Sequence, residues 1–450
     1  MNPNRIISDF KQRKLHIDFL ELSLVQNTPG SRAISYKGKG YVQQTDDDFL
    51  AFTLYAEQTL NTDFSQAINE SNTLRTGELY PKGAYYNLRG TASDGTIWTA
   101  EDVLPVCDWH AEYMNPIVRG KLSSMLGGEL LPEPKSVALH FFEKSALPMT
   151  GREAKFRAAA CDFQIEKDDN SFVVRARSDE PLAAHFVMRV EEALRFLLAQ
   201  AVAPRAIVHP RCVELVSTTF KSSSVRLGSP ISRGTAAFHV NSWGLFSTYL
   251  EFVIRKTKFG NWNPCSGYLH IAHEASANSL DAWGIGLSVA VEGLASMISI
   301  DQDKAEKDKR KAENEKLKKL RDFIIKQISS RTRLRPYADR IRGMMAGLTE
   351  VRAVDRLKWL SDHDGTRDDL VSAWKRLRNR GVHPATKGEV DVASLDFQKM
   401  IDELNAVTVL LYHIIFHLID YRGPYTDYST RNFPESQYPP AQPSPFQLKK

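Results

Sequence analysis

Trp374-Lys375-Arg376-Leu377-Arg378-Asn379-Arg380-Gly381-Val382-His383-Pro384 is the stretch on which the reading of this 450-residue chain turns. It closes an amphipathic run that begins near Thr366 and sets a permanent cation, an amide and an imidazole close together in sequence. Gly381 stands where helices often end in a left-handed cap. Pro384 forbids helical continuation and biases His383 towards extended backbone. Arg378 and Asn379 are therefore expected in the last helical turn, with His383 just past it. A break at Gly381 would let guanidinium and imidazole face one pocket.

Outward from this stretch the pattern is helical. Leu280, Trp283, Leu287, Val291, Leu294 and Ile298 form one apolar stripe, and a charged helix is expected from Asp303 to about Ser330. Shorter helices fit Pro336 to Leu348, Val351 to Ser361 and Thr366 to Arg380. Phe397, Ile401, Leu404, Val407, Leu411, Ile414 and Leu418 mark a long closing helix. Amphipathic helices joined by short connections predict an antiparallel bundle.

The first half reads differently. Period-two alternation at His16–Val25, Arg32–Gln43 and Phe49–Tyr55 predicts strands, as do shorter runs at Ala84–Leu88, Thr96–Thr99 and Ser136–Phe142. Only a weak helical pattern occurs there, near Phe49–Leu60. Ala159–Glu166 and Phe172–Arg177 flank Lys167-Asp168-Asp169-Asn170 as a hairpin would. Phe186, Val190, Leu194 and Leu197 then make a helical stripe, and Cys212–Phe220 and Thr248–Arg255 read as strands. The fold class expected is α+β and multidomain: a β-rich sandwich or barrel over 1–150, a mixed α/β region over 151–270, an α-helical bundle over 271–430 and a flexible, proline-rich tail over 431–450.

Composition agrees with a well-cored globular chain: 42% hydrophobic and 25% charged, with a net charge of +5. Between Asp301 and Gly343 there are 15 Lys and Arg against 8 Asp and Glu, a strip that is either a solvated helix face or an attractor for a polyanion. Cys107, Cys161, Cys212 and Cys265 have no CxxC spacing, so neither a zinc knuckle nor a disulfide framework is signalled. The polar start, Met1 to Lys14, is not a signal peptide, and the apolar run Ala406–Ile419 is too short to span a bilayer. A cytoplasmic, reduced protein without membrane insertion is the expectation.

Chemically, Arg378, Asn379 and His383 suit phosphodiester cleavage. An imidazole can take or give a proton near neutral pH. A guanidinium can fork onto two oxygens of a pentacoordinate phosphorus as charge grows there. Asn379 would orient either partner or the scissile phosphate, and Lys375, Arg376 and Arg380 would hold flanking phosphates. The bland reading stands beside this one: cations at a helix C-terminus are ordinary dipole partners, and a histidine past a helix is often structural. Arg356 and His363 give a second match with six residues between them, the arginine being followed by Leu357 rather than a polar residue.

The C-terminal region resembles the HEPN superfamily. Its signature, Arg, a polar residue, a few positions and His at the end of the third core helix, reads here Arg378-Asn379-Arg380-Gly381-Val382-His383. The order is similar too: a long apolar helix carrying Ala290-Val291-Glu292-Gly293-Leu294, then the charged helix, the motif helix and a long closing helix. The closing segment Leu418-Ile419-Asp420-Tyr421-Arg422-Gly423-Pro424-Tyr425-Thr426-Asp427-Tyr428-Ser429 is similar to that of ApeA-type abortive-infection proteins. The resemblance covers about 271–430 and is only architectural over 1–270. It implies a metal-independent, cofactor-free endoribonuclease of anti-phage defence, acting on RNA as a homodimer or higher homo-oligomer through this domain, with a composite cleft. It also implies products with 2′,3′-cyclic phosphate and 5′-hydroxyl ends. In toxin–antitoxin members a tyrosine two residues after the histidine is modified; here that position is Ala385, so the expected control is in cis, with a phage-derived trigger acting on the N-terminal region.

Other candidates are kept with their plainer alternatives. Glu292 either faces the cleft or makes a helix contact. Asp368 and Asp369 read as capping carboxylates. His413 and His417 lie four apart without a visible third metal ligand, so packing is preferred. Gly38 and Gly40 lack the Lys-Ser/Thr of a phosphate loop. Trp243 and Trp262 are explained by packing. Two rival functions remain at this point: a catalytically silent HEPN dimerisation scaffold, and a regulator binding a nucleotide in the basic cleft.

Overall fold

The computed structural model describes residues 2–28, 33–60, 79–109, 115–217, 227–300, 304–330, 339–340, 343, 351–382 and 396–440. The chain divides into two compact units, one of Met1–Ser223 with Leu250–Asn261 and one of Ser224–Tyr249 with Trp262–Lys450. A large antiparallel sheet dominates the first and helices dominate the second, so the class is α+β.

The first unit opens with helix α1 (Pro3–Lys11), whose cap is Asn2 followed by Pro3. These are ordinary start signals that the sequence reading passed over. Strands β1 (His16–Gln26), β2 (Ser35–Gln44), β3 (Leu50–Leu60), β4 (Tyr86–Ala92), β5 (Ile97–Val103), β6 (Val106–Asp108), β7 (Ile117–Leu122), β8 (Ser124–Gly128) and β9 (Ser136–Phe141) follow. Then come β10 (Glu153–Ala158), β11 (Cys161–Lys167), β12 (Phe172–Arg177), helix α2 (Phe186–Leu198), β13 (Ala206–His209) and β14 (Cys212–Val216). All belong to one sheet, with β10 at one edge and β6 at the other. Alternating side chains such as Leu22, Leu24, Val42, Leu54 and Leu88 bury one face, and Ile7 and Phe10 of α1 pack into the same core.

Two expectations are corrected here. The boundary at 150 does not exist in the hydrogen bonding: β8 pairs with β14, and β9 pairs with both β12 and β13. The region 1–150 is thus not a closed sandwich or barrel by itself. The weak helical pattern near Phe49–Leu60 belongs to β3, which is paired along its length with β2.

Helix α3 (Phe238–Lys256) occupies the stretch read as a strand over Thr248–Arg255. Its buried Leu245, Tyr249, Leu250 and Val253 follow helical spacing, which outweighs the strand preference of the β-branched and aromatic residues between them. Helix α4 (Pro264–Ser276) also precedes the expected start of the helical region at 271.

In the second unit α4 and α5 (Leu280–Ser296) form a tight hairpin. A Cβ added to Gly286 would lie 2.2 Å from that of Ala275, and one added to Gly293 would lie 2.1 Å from the Tyr268 ring. These two glycines let the helices approach that closely. Helices α6 (Lys304–Ser329), α7 (Ala353–Asp364), α8 (Asp368–Val382) and α9 (Asp396–Ile419) follow. Helix α5 packs against α7, α8 and α9, and α8 packs against α9. The expected helix over Pro336–Leu348 lies almost wholly outside the described residues. Phe397–Leu418 of α9 is long and apolar enough by composition to cross a membrane, yet 67% of its most apolar window is buried inside the protein, as suits a core helix.

The expectation of a loose tail from 431 is corrected up to residue 440. Strands β15 (Gly423–Thr426) and β16 (Glu435–Tyr438) form a hairpin. Tyr425 and Tyr438 pack their rings 4.9 and 5.0 Å from that of His413. The Tyr428 hydroxyl donates to the Ser229 carbonyl at 2.7 Å. Four tyrosines within eighteen residues supply the apolar area that the prolines do not.

Candidate active site

Helix α8 buries Leu370, Trp374 and Leu377 and begins with Asp368 and Asp369, favoured there by the helix dipole. Asp368 also accepts the Ser361 hydroxyl at 2.7 Å, and Asp369 pairs with Arg367. The helix runs through Gly381 to Val382, so the expected cap at Gly381 is corrected: the glycine lies inside the last turn. His383, the imidazole of the sequence motif, lies outside the described residues, as does all of 383–395.

At about 100° per residue, Arg376 and Arg380 share one flank of the helix and Arg378 looks away from them. On that second flank Arg378 meets Glu292 of α5. Its Nε donates to Oε2 at 2.9 Å and its Nη2 to Oε1 at 3.1 Å, a bidentate fork. Both side chains are about half exposed, at 43% and 47%. One turn earlier on both helices, the Trp374 indole donates to the Ser288 carbonyl at 3.3 Å. The guanidinium also lies 5.8 Å from the Trp374 ring centroid. The two cross-helix contacts thus keep step, four residues apart on α5 and on α8.

The first flank is tied differently. Arg376 Nε and Arg380 Nη2 each donate at 2.8 Å to a separate oxygen of Glu403, whose side chain is only 4% exposed. These two arginines, expected to hold flanking phosphates, are thus engaged by a buried carboxylate on α9 while remaining about half exposed. Sequence reasoning missed Glu403. The available signal was an acid on the apolar side of α9, and two arginines spaced four apart on the motif helix. Lys375 and Asn379 are exposed, and among the described residues Lys375 makes no ion pair.

The competing Arg356–His363 pair is committed elsewhere. Arg356 donates to the Ile298 carbonyl. His363 stacks on Trp359 at 4.3 Å and bonds that residue's carbonyl. His413 is buried, bonded through Nδ1 to Thr366, and desolvation pushes its pKa down to about 3. His417 bonds Asp364 instead, and that contact holds the Asp364 carboxyl below its ordinary value. The two histidines thus face separate partners. Among the described residues no group of three or more His, Cys, Asp or Glu is placed to hold a metal ion. Trp243 is buried, and Trp262 stands edge-on to His270 at 5.2 Å.

The chemistry offered by the end of α8 is an oriented, half-exposed guanidinium beside an exposed amide, one residue short of an imidazole in sequence. No protein-family model, curated protein or solved structure matches this chain.

Proposed function

We propose that this chain is a metal-independent endoribonuclease of the HEPN type, with its nuclease in an α-helical HEPN bundle over 271–430, serving abortive-infection defence against phage in the cytoplasm. The observation that carries this reading is the Glu292–Arg378 fork at the C-terminal end of α8, which orients the guanidinium of the Arg-Asn-x-x-x-His stretch. In the mechanism, His383 takes the proton of a ribose 2′-hydroxyl. The 2′-oxygen attacks the adjacent phosphorus, and the bond to the 5′-oxygen breaks. Protonation of the leaving oxygen gives a 5′-hydroxyl and a 2′,3′-cyclic phosphate. Arg378 neutralises charge growing on the phosphoryl oxygens, and Asn379 orients the phosphate. Lys375, exposed on the same helix, holds a neighbouring phosphate. Two protomers pair through the helical region to complete the cleft, and the N-terminal unit receives a phage-derived trigger.

The test is incubation of the purified chain with total cellular RNA in EDTA, with cleavage ends mapped beside Arg378→Ala and His383→Ala. Wild type is expected to yield cyclic-phosphate ends, with each variant slower by roughly 10²–10³-fold. Cleavage by both variants at the wild-type rate refutes the assignment. The pairing of Arg376, Arg378 and Arg380 with carboxylates favours one rival, a catalytically silent dimerisation module. That rival predicts no cyclic-phosphate ends from the wild-type chain.

A further inference from the structure

The geometry points to Glu292 as the positioning residue for Arg378: its carboxylate takes the Nε/Nη2 edge of the guanidinium and leaves the Nη1 side to the scissile phosphate. This inference rests on the nuclease reading above and adds a role for a residue on a different helix.

A guanidinium carries five N–H donors. Glu292 uses one on Nε and one on Nη2, at 2.9 and 3.1 Å. Three donors remain, two of them on Nη1, and together they form a second fork of the kind that fits two phosphate oxygens. Because the carboxylate binds in two places, it fixes both the tilt and the roll of the guanidinium plane, which a single contact would not.

The support behind Glu292 is stiff. It sits on α5 between Val291 and Leu294, both fully buried, and beside Gly293, which has the Tyr268 ring against it. The Trp374–Ser288 bond one turn away holds the two helices in step at this point. The pair is also half exposed on both sides, a setting in which an ion pair contributes little to folding. Glu403 makes the contrast: it is buried and engages two arginines, as a structural carboxylate does.

The experiment uses the full chain and an RNA oligonucleotide that the wild type cleaves. It measures kcat and KM for wild type, Glu292→Gln, Glu292→Ala and Glu292→Asp, and the affinity of each for the uncleavable 2′-deoxy analogue. Removing the carboxylate is expected to lower kcat by roughly 10–10²-fold, somewhat less than removing an aimed donor outright. KM and affinity for the analogue should stay within about threefold, and Glu292→Asp should recover part of the rate, because it keeps the two-oxygen acceptor. An unchanged kcat in Glu292→Ala overturns the inference. A raised kcat also overturns it, since the carboxylate would then be masking Arg378. An equal loss in Glu292→Asp and Glu292→Ala, accompanied by a lowered melting temperature, assigns a merely structural role and overturns it too. Failure of the wild type to cleave any RNA is a separate result, which removes the nuclease reading and this inference with it.

Discussion

Glu403 allows a sharp test of how the motif helix is held. Its carboxylate is 4% exposed and receives Arg376 on one oxygen and Arg380 on the other, each at 2.8 Å. In Arg376→Ala the charge is still compensated by Arg380, so the loss is one charge-assisted hydrogen bond from a half-exposed donor, about 1–1.5 kcal/mol. The same holds for Arg380→Ala. In the double variant a buried carboxylate has neither partner, and the cost rises to about 3–5 kcal/mol, more than the two singles together. Adding Glu403→Leu to the double variant removes the stranded charge and should return roughly 2 kcal/mol or more, because an apolar residue of similar size tolerates that site. Global unfolding of a chain with two units is not a clean two-state measure, so the assay is hydrogen exchange of the amides in 368–382 and 396–419, which reports local opening free energies. Two results refute the reasoning: a single variant that already costs as much as the double, or a triple variant less stable than the double.

Other expectations follow from the same packing. Native His413 resists protonation down to about pH 3, while an unfolded histidine accepts a proton near 6.5, so acid favours unfolding. Stability of the second unit should be intact above about pH 6.5 and fall by up to about 1.4 kcal/mol per pH unit below it; His413→Gln should flatten that slope in melting curves taken at pH 7 and pH 5. Gly293→Ala drives a methyl into the Tyr268 ring and should cost about 1–3 kcal/mol, read as a lowered melting temperature, while Tyr268→Ala placed on top should relieve part of it. Tyr438→Ala removes a ring that packs on His413 and donates to Asp364 at 3.2 Å; a loss of about 3 kcal/mol and faster exchange at the end of α9 are expected.

Local signals made much of this legible. The helical stripe of α5 and the long apolar run of α9 were readable because helix periodicity needs only neighbours in sequence. The β11–β12 hairpin was readable for the same reason. The boundary placed at 150 failed because β8 finds its partner in β14 and β9 finds one in β13, pairings that no local pattern encodes. The strand expected at Thr248–Arg255 failed because a run rich in Tyr, Phe, Val and Ile fits a buried helix as well as a strand. At the candidate site, Arg378 and Glu292 were both singled out from sequence, but their fork was not. The partners are 86 residues apart. The shared carboxylate of Arg376 and Arg380 is invisible to local pattern because it lies on another helix, 27 and 23 residues away.

The two acids that grip α8 from opposite flanks differ in wetness, and that difference has a consequence for how the helix tip responds to its surroundings. The arginines on both flanks are about half exposed, but the Glu292 carboxylate is 47% exposed and the Glu403 carboxylate 4%, so dissolved ions reach Glu292 more readily. Raising ionic strength should therefore slacken the grip on Arg378 before the grip on Arg376 and Arg380, whose shared carboxylate is shielded from solvent. Salt concentration becomes a dial that sets how firmly this one guanidinium is aimed.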